Sequence, residues 1–246
     1  MGEQFTNLQV RSFAVIQLRK VEDEELQLYL LQLVQALKFE NLEKYSDSPL
    51  VEFLIERGID NPVLGNYFHW YLMVECQDKV MGKLNAKIAY RFITSMIKTS
   101  DGLLRRGILK RQGELIATLA KLSKDLRASN FTRPKKIDIL QKYIADPRNG
   151  LLSFEPLPLP LDPSIFVTGI IPESAKMFKS ALLPLHLSFT CLDGSVYQLI
   201  FKTGDDLRQD QLIVQIITLM DRLLRNENMD LKLTPYKVLA TGIDHG

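Results

Sequence analysis

Thiol is scarce in this 246-residue chain: its two cysteines, Cys76 and Cys191, lie far apart. That excludes a disulfide framework and a cysteine-based zinc pattern, and it suits a reducing, cytosolic setting. Histidine is equally thin. His69, His186 and His245 are scattered singly, so no metal motif is read. Excess charge is missing as well: 31 Lys and Arg against 29 Asp and Glu leave +2, which gives no argument for nucleic acid. The cluster Arg105, Arg106, Lys110 and Arg111 reads as a solvated helix face rather than a phosphate track. No apolar run approaches the ~20 residues that span a bilayer, and no signal peptide is evident. Gly2 and Thr6 fit a myristoylation pattern only superficially, and the stretch reads better as a polar turn. What is present is an ordinary globular balance, 46% hydrophobic and 24% charged, with length for one large domain or two modest ones.

From Val10 to Tyr143 the pattern is helical. Asp23 reads as an N-cap, with Glu24 and Glu25 in the first turn to complement the dipole. The apolar positions Leu26, Tyr29, Leu30, Leu33, Val34 and Leu37 then recur at helical spacing and predict one helix. Ser48-Pro49 and Asn61-Pro62 predict two further starts, each with proline at the first helical position behind a capping side chain. Val63, Leu64, Tyr67, Phe68, Tyr71 and Leu72 form a core stripe, with His69 and Trp70 beside it. More helices are expected at Ala86–Lys98, Leu103–Arg127 and Lys135–Tyr143. Short helices in series suit a solenoid-like layer that serves as scaffold.

Composition then shifts. Phe154–Pro163 holds four prolines in ten residues and reads as an extended, semi-rigid segment, its leucines packing it as a strap. Strands are expected at Phe166–Ile171, Leu185–Thr190 and Val196–Lys202, the last two joined by a hairpin turn at Asp193-Gly194. A long helix from Leu207 to about Arg225 follows, its stripe being Leu212, Ile213, Ile216, Ile217, Met220, Leu223 and Leu224. Tyr236–Ala240 is a last strand candidate. The class is α+β: a helical domain at 1–150, a proline-rich linker at 151–170 and, at 171–246, strands with one long helix, the layout of an incomplete kinase small lobe.

Lys202 ends the last hairpin strand, and alternation places it on the face of Ile200, opposite Leu199 and Phe201. A lone strand lysine usually snorkels to water. Here it leads through Thr203-Gly204-Asp205-Asp206 into the long helix, with Asp206 and Gln209 fitting a capping box and Asp210 one turn further in. A strand lysine held by a carboxylate on the next helix is how kinases aim a lysine at nucleotide phosphates.

The string Phe201-Lys202-Thr203-Gly204-Asp205-Asp206-Leu207-Arg208-Gln209-Asp210 closely resembles the small-lobe signature of the phosphatidylinositol 3-kinase family. Phe178-Lys179-Ser180-Ala181-Leu182-Leu183-Pro184 is similar to that family's phosphate-covering loop, which stands in place of a glycine-rich loop. No G-x-G-x-x-G occurs. Leu231–Thr241 and Tyr29–Lys38 resemble the class III, vacuolar-sorting branch, in its small lobe and its helical domain respectively. The resemblance implies that Lys202 contacts ATP phosphates, that Asp210 orders the pocket from behind, and that Ser180 covers the phosphates within the loop Met177, Phe178, Lys179, Ser180, Ala181, Leu182 and Leu183. It further implies that Tyr236 lines the inner pocket.

The implied reaction transfers the γ-phosphate of ATP, with Mg²⁺ or Mn²⁺, to the 3-hydroxyl of phosphatidylinositol. Implied partners are a protein-kinase-like regulatory subunit, a beclin-type subunit and phosphatidylinositol membranes. The implied location is cytoplasmic, peripheral on endosomal and autophagic membranes. The family's D-R-H-x-x-N loop and D-F-G motif are not among the 246 residues. Asp221-Arg222-Leu223-Leu224-Arg225-Asn226 imitates the former, but its leucines belong to the helix stripe. The expectation is a truncated chain that is inactive alone and binds ATP weakly. Two alternatives are a non-catalytic isoform acting as a partner-binding scaffold, and a class I or phosphatidylinositol 4-kinase relative.

Overall fold

A computed structural model describes residues 7–40 and 48–246; the Gly2–Thr6 pattern lies outside them. Helices α1 (Leu8–Leu18), α2 (Asp23–Gln27), α3 (Leu30–Ala36), α4 (Pro49–Asp60), α5 (Pro62–Glu75), α6 (Gly82–Met96), α7 (Gly102–Ala128) and α8 (Arg133–Ala145) come first. Strands β1 (Leu157–Pro158), β2 (Phe166–Ile170), β3 (Lys176–Met177), β4 (Leu185–Cys191) and β5 (Val196–Phe201) follow, then helix α9 (Arg208–Asn226). The order matches the expected α+β class. The described residues form two compact units. One runs to Arg106 and includes Arg208–Gly242; the other comprises Gly107–Leu207 and Ile243–Gly246.

In the first unit the two proline starts form as expected. Ser48 Oγ accepts from the Val51 amide at 3.3 Å, and Asn61 Oδ1 accepts from Val63 and Leu64 at 2.9 and 3.2 Å. The helix expected from Asp23 is broken instead. Its cap position is Glu22, α2 stops at Gln27, and α3 starts afresh at Leu30. Asp23 is used elsewhere: it pairs with Arg57 at 2.6 Å and accepts from Asn61 Nδ2 at 2.8 Å. Breaking the helix lets both pieces turn apolar residues inward, and Leu26, Leu30, Leu31, Val34 and Leu37 are all buried. Phe53, Phe68 and Phe92 are the largest fully buried side chains of this core, Phe68 meeting Phe92 edge-on at 5.1 Å.

Gly58 and Gly65 mark the close crossing of α4 and α5, since a Cβ on Gly65 would strike the Gly58 carbonyl. The same carbonyl and that of Ile59 receive Arg105 at 2.7 and 2.6 Å. Arg105 is therefore a cap on the end of α4, not part of a solvated basic face. Arg111 departs from that expectation too, donating to the carbonyls of Glu155 and Pro156.

The second unit is an antiparallel sheet packed on the later turns of α7 and on α8. Strand β4 pairs with β5 along one edge and with β2 and β3 along the other, while β1 extends the sheet from β2. Leu185, Leu187, Phe189 and Cys191 of β4 face a core shared with Leu115, Leu119, Leu122 and Leu126 of α7 and Leu140 and Ile144 of α8. The proline-rich stretch is a packed strap. Leu157 and Leu159 are buried in that core, and Gln112, fully buried, donates to the Pro158 carbonyl at 2.8 Å. The hairpin turn forms where Asp193-Gly194 predicts it. Gly194 takes φ +82°, and Asp193 accepts from the Ser195 amide and hydroxyl at 2.9 and 2.6 Å.

Candidate functional site

The site is built from the alternation of β5. Phe201 goes into the core, whereas Ile200 is 51% exposed and Lys202 is half-buried on the same face. Lys202 stays extended because its amide donates to the Gly246 carbonyl at 2.8 Å and its carbonyl accepts from the Gly246 amide at 3.2 Å. Its ammonium lies 3.5 Å from Asp205, an open ion pair with both side chains more than a third exposed. The expected partner, Asp210, is exposed in the first turn of α9 and belongs to the other unit.

Cross-strand register builds the rest of the face. Ile200 lies opposite His186 of β4, and His186 lies opposite Lys176 of β3. Leu185 pairs with both Met177 and Phe201, so the loop between β3 and β4 emerges at the sheet end that carries Lys202. This is the Met177–Leu183 segment. Arg133 Nε holds the Met177 carbonyl at 2.8 Å, and the Phe178 amide closes the loop on the Pro184 carbonyl at 2.9 Å. Lys179, Ser180 and Ala181 are exposed at the tip, Leu182 and Leu183 half-buried behind them. The Ser180 amide donates to Phe178 at 3.1 Å, and Leu183 closes on Ser180 at 3.2 Å with φ +48°, a left-handed conformation that costs a leucine about 1 kcal/mol. Phe178 is 44% exposed, its ring edge-on to His186 at 5.9 Å.

A row of Phe178, His186 and Ile200 ending on one ammonium suits a ligand that is flat and apolar at one end and anionic at the other. The residue reading put Ile200 on the face of Lys202 but missed His186 opposite it. The signal was available: a hairpin centred on Asp193 pairs 186 with 200, on the same face as Lys202.

Tyr236, the remaining sequence candidate, lies in the first unit at 68% exposure. The strand expected over Tyr236–Ala240 does not form. The segment is irregular, and the Ala240 amide is taken by the side chain of buried Gln211 at 2.6 Å, a side-chain acceptor where a ladder partner would be needed. The α9 stripe also differs from expectation. Gln211 and Val214 are its buried residues, whereas Ile213, Ile216, Met220 and Leu223 are exposed. The imitation catalytic loop is a helix end, with Arg225 bonded to Asp221 at 2.7 Å one turn back. Among the described residues, no three His, Cys, Asp or Glu side chains are grouped to hold a metal, and no helix is long and apolar enough to cross a membrane.

Comparison with known proteins decides the family. Residues 1–105 match the phosphoinositide 3-kinase family accessory domain (PIK domain), and residues 196–246 match phosphatidylinositol 3- and 4-kinase. The whole chain is 46% identical to phosphatidylinositol 3-kinase pik3 of Schizosaccharomyces pombe and 39% identical to phosphatidylinositol 3-kinase VPS34 of Saccharomyces cerevisiae. Over 98% of its length it is 44% identical to phosphatidylinositol 3-kinase VPS34 of Arabidopsis thaliana. The chain belongs to the phosphatidylinositol 3-kinase family. It covers 31%, 33% and 30% of those relatives, about a third of their length. The kinase match contains Lys202, Asp210 and Tyr236, while the Met177–Leu183 loop lies between the two matched stretches.

Proposed function

We propose that these residues form the accessory domain and the ATP-phosphate-binding part of a class III phosphatidylinositol 3-kinase. The observation that carries the reading is the placement of Lys202: within the family string it stands on the exposed sheet face, at the end where the Met177–Leu183 loop emerges. In this reading Lys202 neutralises β- and γ-phosphate oxygens, the amides and Ser180 hydroxyl of the loop cover them, and Phe178 and Ile200 lie against the base. Asp210 and Tyr236 belong to the other unit, and a nucleotide role for them rests on the resemblance alone. The enzyme would phosphorylate the 3-hydroxyl of phosphatidylinositol, work on endosomal and autophagic membranes, and assemble with a protein-kinase-like and a beclin-type subunit. Mg²⁺ or Mn²⁺ would neutralise the transferring phosphoryl group. The described carboxylates do not fit a metal, so no step is assigned to it through this chain.

Two measurements test the reading. In an active kinase containing these 246 residues, Lys202→Ala should remove at least ~100-fold of the phosphatidylinositol 3-phosphate formed from labelled ATP; undiminished product would refute Lys202's role. The 246-residue polypeptide assayed alone should form none, because neither a D-R-H loop nor a D-F-G motif occurs in it. Robust product from it would overturn that part. Should it bind the two partner subunits while lacking product, the scaffold alternative gains.

A further inference from the structure

The turn that follows Lys202 is fastened from one side by a buried polar cluster on α7. Thr203 is fully buried, and its hydroxyl lies 2.8 Å from that of Ser123, which is also buried. Arg127 Nη1 donates to the Thr203 carbonyl at 2.6 Å. Gly204 takes φ +81°, and a Cβ there would collide with the Arg127 guanidinium, so the turn and the arginine are fitted to each other. Arg127 is itself held, its own carbonyl accepting from the buried Lys136 at 3.2 Å. Lys124, one residue after Ser123, pairs with Asp244 at 2.9 Å. The Asp244 carbonyl in turn takes the Gly204 amide at 2.6 Å, and Thr203 bridges to His245. Backbone on both sides of the Lys202–Gly246 hydrogen bonds is thus tied to a single helical turn.

We infer that Arg127, with Ser123, is a positioning residue for Lys202: α7 sets the backbone from which the phosphate-binding lysine reaches. The inference rests on the reading of Lys202 as the ATP-phosphate contact. Arg127 makes no contact with the nucleotide in this scheme. It acts by donating a charge-assisted hydrogen bond to the Thr203 carbonyl, which otherwise would be buried with one bond fewer. Loss of that bond lets the turn open, and the ammonium then samples positions an ångström or more from the phosphates, a displacement that weakens nucleotide binding.

The test uses Arg127→Gln, Arg127→Lys, Ser123→Ala and Lys202→Ala. In the 246-residue chain, hydrogen exchange of the Lys202 and Gly204 amides should accelerate about tenfold in Arg127→Gln, with β4 amides unchanged. In an active kinase containing the chain, Arg127→Gln should raise KM for ATP about tenfold, leave KM for the lipid alone, and be largely rescued by Arg127→Lys. Unchanged exchange at both amides overturns the inference. Accelerated exchange with unchanged KM for ATP, while Lys202→Ala is inactive, also overturns it. If Lys202→Ala itself keeps wild-type KM and kcat, the ATP reading falls and the inference with it. Should Arg127→Gln fail to fold, Ser123→Ala carries the same comparison by removing the hydroxyl bonded to Thr203, and wild-type exchange and KM for ATP in it would refute the inference.

Discussion

At the scale of single residues, two glycines of the second unit should respond to alanine with opposite signs. Gly204 sits at φ +81° against Arg127, whereas Gly113 lies inside α7 with nothing near the position of a Cβ. An L side chain at positive φ costs about 1–2 kcal/mol before any displacement of Arg127. A mid-helix glycine costs about 0.5–1 kcal/mol relative to alanine. Gly204→Ala should therefore lower the denaturation midpoint of the 246-residue chain, and Gly113→Ala should raise it. A raised midpoint in Gly204→Ala would contradict the first environment, and a lowered one in Gly113→Ala the second. Part of this was legible in the residues. Gly204 stood in the family string and Lys202 fell out of strand alternation. Arg127 and Ser123 were illegible, because nothing in a helical period says which distant turn a polar side chain will meet.

At the scale of elements, capping chemistry was the most readable feature, and Asn61 shows why. Its side chain closes the first turn of α5 while its amide donates to the last turn of α4, at Arg57. A further bond from Nδ2 reaches Asp23. Asn61→Ala should cost about 1–2 kcal/mol in urea unfolding, the upper end of a cap substitution, because both roles of the side chain vanish together. Asn61→Asp keeps the cap acceptor, but it loses the Nδ2 donor and faces Asp23 with a like charge. It should fall between wild type and alanine at neutral pH, and a full loss equal to alanine would argue against the cap. Period was less reliable than caps. The stripe Leu26–Leu37 is apolar at helical spacing, yet the chain breaks at Leu28-Tyr29, since two short helices bury more of a stripe this broad than one straight helix does. Tyr236–Ala240 failed as a strand for a related reason: β-propensity marks residues suited to a sheet without supplying a neighbour to pair with.

At the scale of the whole molecule, the compact units are discontinuous in sequence, with Arg208–Gly242 returning to the first and Ile243–Gly246 to the second. A composition shift at the prolines signals where strands begin, but cannot say that α7 and α8 supply the sheet with its core. That grouping depends on leucines spaced along α7, whose pattern is the same whichever layer they meet. Acid response is a property of the chain as a whole, and one group should dominate its upper range. His69 on α5 has Nδ1 buried without a partner, and burial lowers its pKa from 6.5 to about 4. Above pH 6.5 the ring is neutral in both states and contributes no pH dependence. Between about 6.5 and 4 the unfolded chain binds the proton and the native chain does not, so stability falls as pH falls. Below that window native His69 protonates too and its contribution levels off. Carboxylates take over there: Asp138 and Asp146 are held below their ordinary range first by hydrogen bonds from Lys135 and Arg148, and Asp244 by those from His245 and Lys124. Their share is present above the ordinary carboxylate pKa and lost as pH drops through the depressed values. Urea titrations of the 246-residue chain should therefore show stability falling between pH 6.5 and 4.5 with a slope approaching one proton, and His69→Leu should flatten that segment while leaving the steeper loss below pH 4. A His69→Leu curve parallel to wild type across the upper window would show that the proton is taken up elsewhere.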